Sequence, residues 1–201
     1  MKTPALKLVF SFTDCALKER LSTKLCAAYG RWLGGFRTLE IRRGKTREGF
    51  EIEALGGGWS EGGLPACRQA QFRENRRVVL ASRSIVSRVS FNKYALDLAA
   101  LEVTALAALE EAAAGGKVLL FDELGPMSMK SGKFSARVVE LLFSPAPCLV
   151  FYRNGAAVFE KAFSKMSDTV IIELTEPGWA EAVSSAEAWL DRLAEGMRDE
   201  G

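Results

Sequence analysis

The sequence predicts a three-layer α/β fold, in which helices cover both faces of a mainly parallel sheet and an antiparallel β-hairpin is added at one edge. Apolar runs without polar alternation are typical of strands buried on both faces, and here they alternate with amphipathic helices. One segment instead shows period-2 alternation, which is typical of a hairpin with one solvated face. With 201 residues, 48% of them apolar, the chain fits a single domain over residues 1–201.

The first strand is centred on Leu8–Phe10, and apolar residues at steps of three and four then predict a helix that ends near Gly30. Further strands are expected at Val78–Ala81, Val118–Phe121, Cys148–Tyr152 and Val170–Leu174. Further helices are expected from Leu98 to Leu109 with Asp97 as the cap, over Phe134–Phe143, and along an apolar stripe from Trp179 to Met197.

The predicted hairpin forms an arm over about residues 35–55. Its strands are Phe36–Arg42 and Phe50–Leu55, and the turn residues between them are Gly44–Gly49. A basic cluster at the tip is interleaved with turn residues rather than aromatic ones, which favours a solvated tip over a nucleic-acid surface. The Gly-rich residues 56–63 that follow are expected to form a flexible loop.

Composition excludes several classes of protein. The chain has no histidine, so a Ser-His-Asp triad, a Cys-His pair and an imidazole zinc site are all ruled out. The four cysteines show no C-x-x-C spacing, which favours free thiols in a reducing compartment. A net charge of +2 does not favour nucleic acid or an anionic membrane. The apolar run Leu6–Phe12 is too short to span a membrane, so we expect a cytoplasmic protein.

Two acidic residues, Asp122 and Glu123, follow the predicted strand Val118–Phe121 directly. A carboxylate at the tip of a buried strand is costly unless it has a partner or a function. In phosphoryl-transfer sites an Asp at this place holds magnesium, and a following Glu can polarise the attacking water. The alternative, an acidic turn that simply ends the strand, remains open on spacing alone.

The turn after the first strand is where a phosphate-binding loop belongs in such a fold. Lys18 stands where the lysine of a G-x-x-x-x-G-K-[ST] loop is expected, but Phe12 and Leu17 hold the two glycine positions and Glu19 holds the Ser/Thr position. Leucine cannot adopt positive φ as cheaply as glycine. We expect Asp14 to cap the following helix and to occupy the anion site that a nucleotide would fill.

Several segments together resemble the small nucleoside-triphosphatase family of thermophilic bacteria and archaea, whose human member is the cancer-related nucleoside triphosphatase. Gly35-Phe36-Arg37-Thr38 with Leu39–Arg42 and Gly49-Phe50 resembles the family's G-F-Y-T-E-E-x-R hairpin and the G-F that follows it, and Arg88–Tyr94 with Leu96-Asp97-Leu98 resembles its R-V-G-x-Y-x-V-D-L segment. Phe121–Met127 is similar to its I-D-E-I-G-x-M signature and Lys133-Phe134 to the K-F after it, and Val170–Glu176 is similar to its late V-x-x-V-T-x-E strand. The resemblance implies a P-loop-type α/β fold and magnesium-dependent hydrolysis of nucleoside triphosphates.

Carried over by position, the resemblance implies that Asp122 is associated with Mg²⁺ and that Glu123 activates water. It also implies that Lys18 contacts phosphate. Arg153 is a candidate for supplying charge where the family often has histidine, and Glu19 is a candidate second magnesium ligand. Members carry an intact G-P-P-G-V-G-K-T-T loop, and this chain departs from it over Phe12–Arg20.

Two functions remain open at this point. One is a nucleotide-hydrolase-derived protein with impaired or lost catalysis, which serves as a nucleotide-related or regulatory binding module and leaves room for a protein partner. The other is an active Mg²⁺-dependent nucleoside-triphosphate hydrolase that uses an atypical loop. Neither reading expects a membrane or a nucleic acid as partner.

Overall fold

A mixed β-sheet between two layers of helices organises the chain in a computed structural model that describes residues 6–56 and 77–199. The strands are β1 (Lys7–Phe12), β2 (Leu33–Arg43), β3 (Thr46–Leu55), β4 (Arg77–Ser82), β5 (Ser90–Phe91), β6 (Tyr94–Leu96), β7 (Val118–Leu124), β8 (Cys148–Arg153) and β9 (Thr169–Glu173). The helices are α1 (Cys15–Tyr29), α2 (Leu106–Ala114), α3 (Gly132–Phe143), α4 (Ala157–Phe163) and α5 (Trp179–Asp199). A π-helix over Ala100–Ala105 leads into α2, and a 3₁₀ turn over Ser128–Lys130 precedes α3.

The described strands follow the order β5-β6-β4-β3-β2-β7-β8-β1-β9 across the sheet. The five strands from β2 to β9 in this order are parallel, and β3, β4, β6 and β5 are joined by antiparallel pairing. The carboxyl ends of the parallel strands therefore meet at one edge, which we call the carboxyl edge. In α/β sheets ligands bind beyond this edge.

Two apolar cores lie on opposite faces of this sheet because successive residues of a strand point to opposite sides. Val9 and Phe121 belong to the core under α2, α3 and α4, whereas Phe10 and Phe151 belong to the core under α1 and α5. Every residue of β1 is buried. The three-layer α/β fold predicted from unbroken apolar runs is confirmed.

Lys7 is the one charged residue of β1, and it is buried with the rest of the strand. Its ammonium donates hydrogen bonds to the carbonyl oxygens of Ser144 at 2.7 Å and Ala146 at 2.5 Å. Hydrogen bonds offset the cost of burying an ammonium, and these carbonyls just after α3 take two of its three donors.

The predicted antiparallel pairing of the two hairpin strands is confirmed, whereas the predicted turn residues and the predicted position at the edge of the sheet are wrong. Only Gly44 and Lys45 separate β2 from β3. Gly44 has a φ of 58°, and a positive φ of this kind permits so tight a turn. The hairpin also does not end the sheet, since β4, β6 and β5 continue beyond it. The predicted loop at residues 56–63 lies, apart from Gly56, outside the described residues.

Two further expectations need correction. The helix predicted from Leu98 begins as a π-helix whose N-cap is Ala99, without a side-chain cap. Asp97, the predicted cap, lies just before it and accepts a hydrogen bond from the Ala99 amide at 3.0 Å. Strand β7 runs on to Leu124, so Asp122 and Glu123 lie within its last residues rather than after it. Asp122 is paired with Phe151 of β8, and its carboxylate forms an ion pair with Lys18 of α1.

The structure also contains elements that the sequence patterns did not predict, namely β5, β6, the 3₁₀ turn and α4. All are short, and short segments carry too few residues for a periodic signal. None of the helices in the described residues combines the length and apolar character needed to cross a membrane.

Candidate nucleotide site

A two-residue connection, Thr13-Asp14, joins β1 to α1 at the carboxyl edge. Asp14 is the N-cap: its Oδ1 accepts a hydrogen bond from the Ala16 amide at 2.7 Å, and its carbonyl accepts one from the Lys18 amide at 3.2 Å. The helix has therefore begun before Leu17, which is buried within it. The predicted capping role of Asp14 is confirmed.

The Lys18 side chain turns inward and pairs with Asp122 on β7. Its ammonium lies 2.7 Å from Asp122 Oδ1 and 3.2 Å from the carbonyl oxygen of Thr38. The other oxygen, Asp122 Oδ2, accepts a hydrogen bond from the Ser22 hydroxyl. Asp122 has no exposed surface, and the Lys18 side chain is 5% exposed.

Charge attraction controls the protonation of Lys18. Burial by itself would lower the pKa of this ammonium, but the nearby carboxylates of Asp122 and Glu123 outweigh burial and raise its pKa above the ordinary value. Lys18 is therefore held in its charged form, as the counter-ion of Asp122.

Glu123 lies beside this pair, with its side chain 12% exposed. Its amide donates a hydrogen bond to the Thr38 hydroxyl at 3.3 Å. Its carboxylate lies 3.8 Å from the Lys18 ammonium and 3.5 Å from Arg153 Nε. Burial raises the pKa of this carboxyl above its ordinary value, although both cations oppose the shift.

Arg153 ends β8 and reaches across to the start of α1. Its guanidinium donates a hydrogen bond to the Cys15 sulfur at 2.6 Å and lies 5.3 Å from the centre of the Phe12 ring. Through Glu123 on one side and Cys15 on the other, Arg153 ties β7, β8 and α1 together at the carboxyl edge.

Comparison with known proteins places this chain in a family. The family model described as NTPase matches residues 61–185, more than half of the chain. The chain belongs to this NTPase family. Nucleoside-triphosphatase THEP1 from Thermococcus kodakarensis is 33% identical over 135 residues, which cover 66% of this chain and 67% of that protein. Nucleoside-triphosphatase THEP1 from Thermotoga maritima is 29% identical over 143 residues, which cover 71% and 72%.

Solved structures agree on the fold. The crystal structure of THEP1 from Aquifex aeolicus superposes with a TM-score of 0.69 at 23% identity, and the match covers 92% of this chain and 98% of that one. The solution structure of a human cancer-related nucleoside triphosphatase gives a TM-score of 0.62 at 21% identity, with 90% and 96% covered. The family model and the THEP1 relatives confirm the resemblance to this NTPase family that short motifs first indicated.

The predicted site residues of this NTPase-family chain are brought together with one exception. Lys18, Asp122, Glu123 and Arg153 form a continuous set of contacts at the carboxyl edge. Glu19 is exposed on α1, and within the described residues its carboxylate makes no ion pair or hydrogen bond with Lys18 or Asp122. The chemical roles suggested for all five residues remain predictions.

The NTPase family generally uses Mg²⁺, so the fit of a metal ion to these residues can be tested. Magnesium takes carboxylate oxygens and keeps several of its waters. Each oxygen of the buried Asp122 already accepts a hydrogen bond, one from an ammonium and one from a hydroxyl. No group of three or more Cys, Asp or Glu residues in ranges 6–56 and 77–199 could hold a metal ion. In this arrangement the residues around Asp122 do not fit magnesium.

Ser22 and Arg37 belong to the site and were missed by the sequence reasoning. Ser22 lies one helical turn after Lys18, and that i,i+4 spacing could have indicated it. Arg37 is paired with Asp122 across β2 and β7, and its Nε donates to the Ser22 hydroxyl at 3.1 Å. Since β2 and β7 are far apart in sequence, only the strand order could have shown this.

Proposed function

We propose that this NTPase-family chain hydrolyses nucleoside triphosphates poorly or not at all, and that its fold serves a nucleotide-related or regulatory binding role. The observation that carries the proposal is the Lys18–Asp122 ion pair at 2.7 Å beneath a two-residue β1–α1 connection. A phosphate-binding loop wraps its backbone amides around the phosphates and sends its lysine to them. Here the lysine points into the protein.

The start of α1 gives independent support. Phosphates bind at helix N-termini because free amides and the helix dipole attract anions. The carboxylate of Asp14 already accepts a hydrogen bond from the Ala16 amide, and its negative charge repels a second anion. Leu17, which stands at the second glycine position, is fixed in helical conformation and packs into the core under α1.

The proposal predicts turnover that does not depend on Glu123. Removing one well-placed donor to a developing charge costs about 10²–10³ in kcat, so losing a whole set of loop amides costs more. We expect the wild-type chain and Glu123→Gln to release phosphate from ATP and GTP at the same background rate. A wild-type rate that falls about 100-fold in Glu123→Gln would contradict the proposal.

A gain-of-binding variant tests the same idea from the other side. Asp14→Asn combined with Leu17→Gly removes the competing charge and permits positive φ, so we expect it to bind nucleoside triphosphate more tightly than the wild type. The matched control is Asp14→Asn with Leu17→Ala, which removes the charge and the bulk without that backbone freedom. Equal affinities of all three proteins by isothermal titration calorimetry would count against the proposal.

Thermal unfolding with nucleotide separates the two forms of the binding role. A ligand at about 100-fold its Kd stabilises the folded state by about 2.7 kcal/mol. Stabilisation of the wild type without turnover indicates a nucleotide-binding role. The absence of any stabilisation leaves a regulatory role through a protein partner.

A second candidate is an active hydrolase with an atypical loop, and the position of Glu123 favours it. A carboxyl of raised pKa that stays partly exposed between two cations is suited to proton transfer. This candidate requires Lys18 to leave Asp122 when nucleotide binds. The Glu123→Gln comparison decides between the two candidates.

A further inference from the structure

The Asp122 carboxylate is enclosed by side chains from two elements, α1 and β2. Lys18 and Ser22 approach it from α1, and Arg37 approaches it from β2 with Nε 3.8 Å from Oδ2. Arg37 also donates to the Ser22 hydroxyl, which in turn donates to Asp122. Lys18 thus contacts the carboxylate directly, and Arg37 is linked to it through the Ser22 hydroxyl.

Arg37 is fixed in this position by contacts on its other nitrogens. Its Nη2 donates to the Thr23 hydroxyl at 2.7 Å, and its Nη1 lies 3.5 Å from Glu53 Oε2. With 11% of its side chain exposed, the guanidinium has little room to rotate away. A planar group held at several donors loses little further entropy in keeping this geometry.

The charges of the whole cluster balance. Four cations are linked by ion pairs to four anions, so the formal sum is zero: Lys18, Arg37, Arg77 and Arg153 with Glu51, Glu53, Asp122 and Glu123. A divalent cation that entered would bring two uncompensated charges into a largely buried site, where isolated charge is costly. It would also have to displace the Lys18 ammonium from Asp122.

We infer that the Asp122 centre is independent of divalent metal, and that Lys18 and Arg37 together supply the positive charge that a metal ion would supply. This inference concerns the site of the proposed function and rests on it in one respect, namely that Lys18 keeps its place on Asp122. It goes further by naming Arg37 as the second internal cation and by excluding a metal ion from the free protein.

Manganese(II) provides the direct test, because the paramagnetic signal of the free aqueous ion disappears when the ion binds a protein. We expect the wild-type chain without nucleotide to leave the free Mn²⁺ signal unchanged at equimolar concentrations in the 0.1 mM range. Binding of one equivalent of Mn²⁺ that is lost in Asp122→Asn would overturn the inference.

A double variant tests the role of the two cations. Lys18→Gln with Arg37→Gln leaves the carboxylates without their positive partners, so Mg²⁺ at 10 mM is expected to raise the Tm of this variant and not that of the wild type. The matched control is Arg20→Gln with Arg43→Gln, which removes the same charge from exposed positions. A double variant that folds and responds to Mg²⁺ no more than this control would overturn the role given to Lys18 and Arg37. Should the double variant not fold, the Mn²⁺ measurement on the wild type still decides.

Failure of this inference can be told apart from failure of the proposed function. Mn²⁺ bound through Asp122 without phosphate release overturns the inference alone. Turnover that depends on Glu123, with no Mn²⁺ bound to the free protein, overturns the proposed function alone.

Discussion

At the scale of single residues, two neighbouring acids at the carboxyl edge, Asp122 and Glu123, have different surroundings. Asp122 has a cation and a hydroxyl on its two oxygens, whereas the carboxylate of Glu123 has only longer contacts of 3.5 and 3.8 Å with Arg153 and Lys18. Burial therefore dominates at Glu123 and raises its pKa above the ordinary value of 4.5. The protonation of Glu123 is therefore expected to affect stability.

We expect Glu123→Gln to change how stability depends on pH. The folded-state pKa lies above the unfolded value, so between the two the folded protein binds more protons than the unfolded chain, and the free energy of unfolding falls as pH rises. Glutamine does not titrate, so the variant does not lose free energy of unfolding in this way as pH rises. The Tm of the variant should match the wild type below pH 4.5 and exceed it increasingly toward neutral pH.

Thermal unfolding from pH 4 to 8 measures this effect, with Glu176→Gln as a control at an exposed carboxylate. A difference in Tm between Glu123→Gln and the wild type that stays constant with pH would show that the carboxyl does not titrate abnormally.

At the scale of elements, the close contact of β2 with β7 brings Arg37 to Asp122. The two strands are paired in register from Leu33 with Val118 to Arg37 with Asp122. Gly35 has a φ of 121°, and a Cβ there would overlap the carbonyl oxygen of Leu120 and lie 3.0 Å from a methyl carbon of Leu109. The strand thus depends on glycine at this point for both its conformation and its approach to β7.

We expect Gly35→Ala to destabilise the protein by about 1 to 3 kcal/mol, because the added methyl overpacks the contact and the backbone is strained at positive φ. Gly132→Ala is the matched control: this glycine begins α3, nothing lies within 4 Å of an added Cβ, and the change should be neutral or stabilising by up to about 1 kcal/mol. Urea unfolding measures both. Equal midpoints for the two variants would contradict the close-approach explanation.

At the scale of the whole molecule, the two apolar cores share the same central strands. Phe36 packs edge-on to Phe121 and Phe134 on one face, and Phe10 stacks on Phe151 on the other. Since β1, β7 and β8 contribute residues to both cores, neither face can lose its packing without disturbing the strands that support the other. We therefore expect the described residues to unfold as one cooperative unit.

A cavity on either face should lower the midpoint of the same single transition. Phe36→Ala on one face is expected to cost about 3 to 5 kcal/mol, and Leu190→Ala on the other about 2 to 5 kcal/mol. Val170→Ala, at a position that is 45% exposed, should stay within about 0.5 kcal/mol of the wild type. Far-UV circular dichroism and tryptophan fluorescence should give coincident curves. Two separate transitions in either core variant would mean that the chain contains two units rather than one domain.

Sequence patterns predicted the long elements best, because burial imposes a period on them. The unbroken apolar run of β1 and the apolar stripe of α5 needed no tertiary information, and neither did Asp14 as the cap of α1. The short α4 and the extent of β7 were not predictable in this way, since α4 has only seven residues and the buried Asp122 near the end of β7 is paired with Lys18 from a distant part of the chain.

By itself the sequence determined the α/β class, the NTPase-family motifs and the absence of glycine from residues 12–20, since these depend on residue types and on local spacing. Only the tertiary structure decided that Lys18 points to Asp122 and that Ser22 and Arg37 complete its surroundings. The reason is physical: whether a buried charge is open to a ligand depends on which cations the neighbouring strands and helix bring to it. These elements are separated by up to 104 residues along the chain.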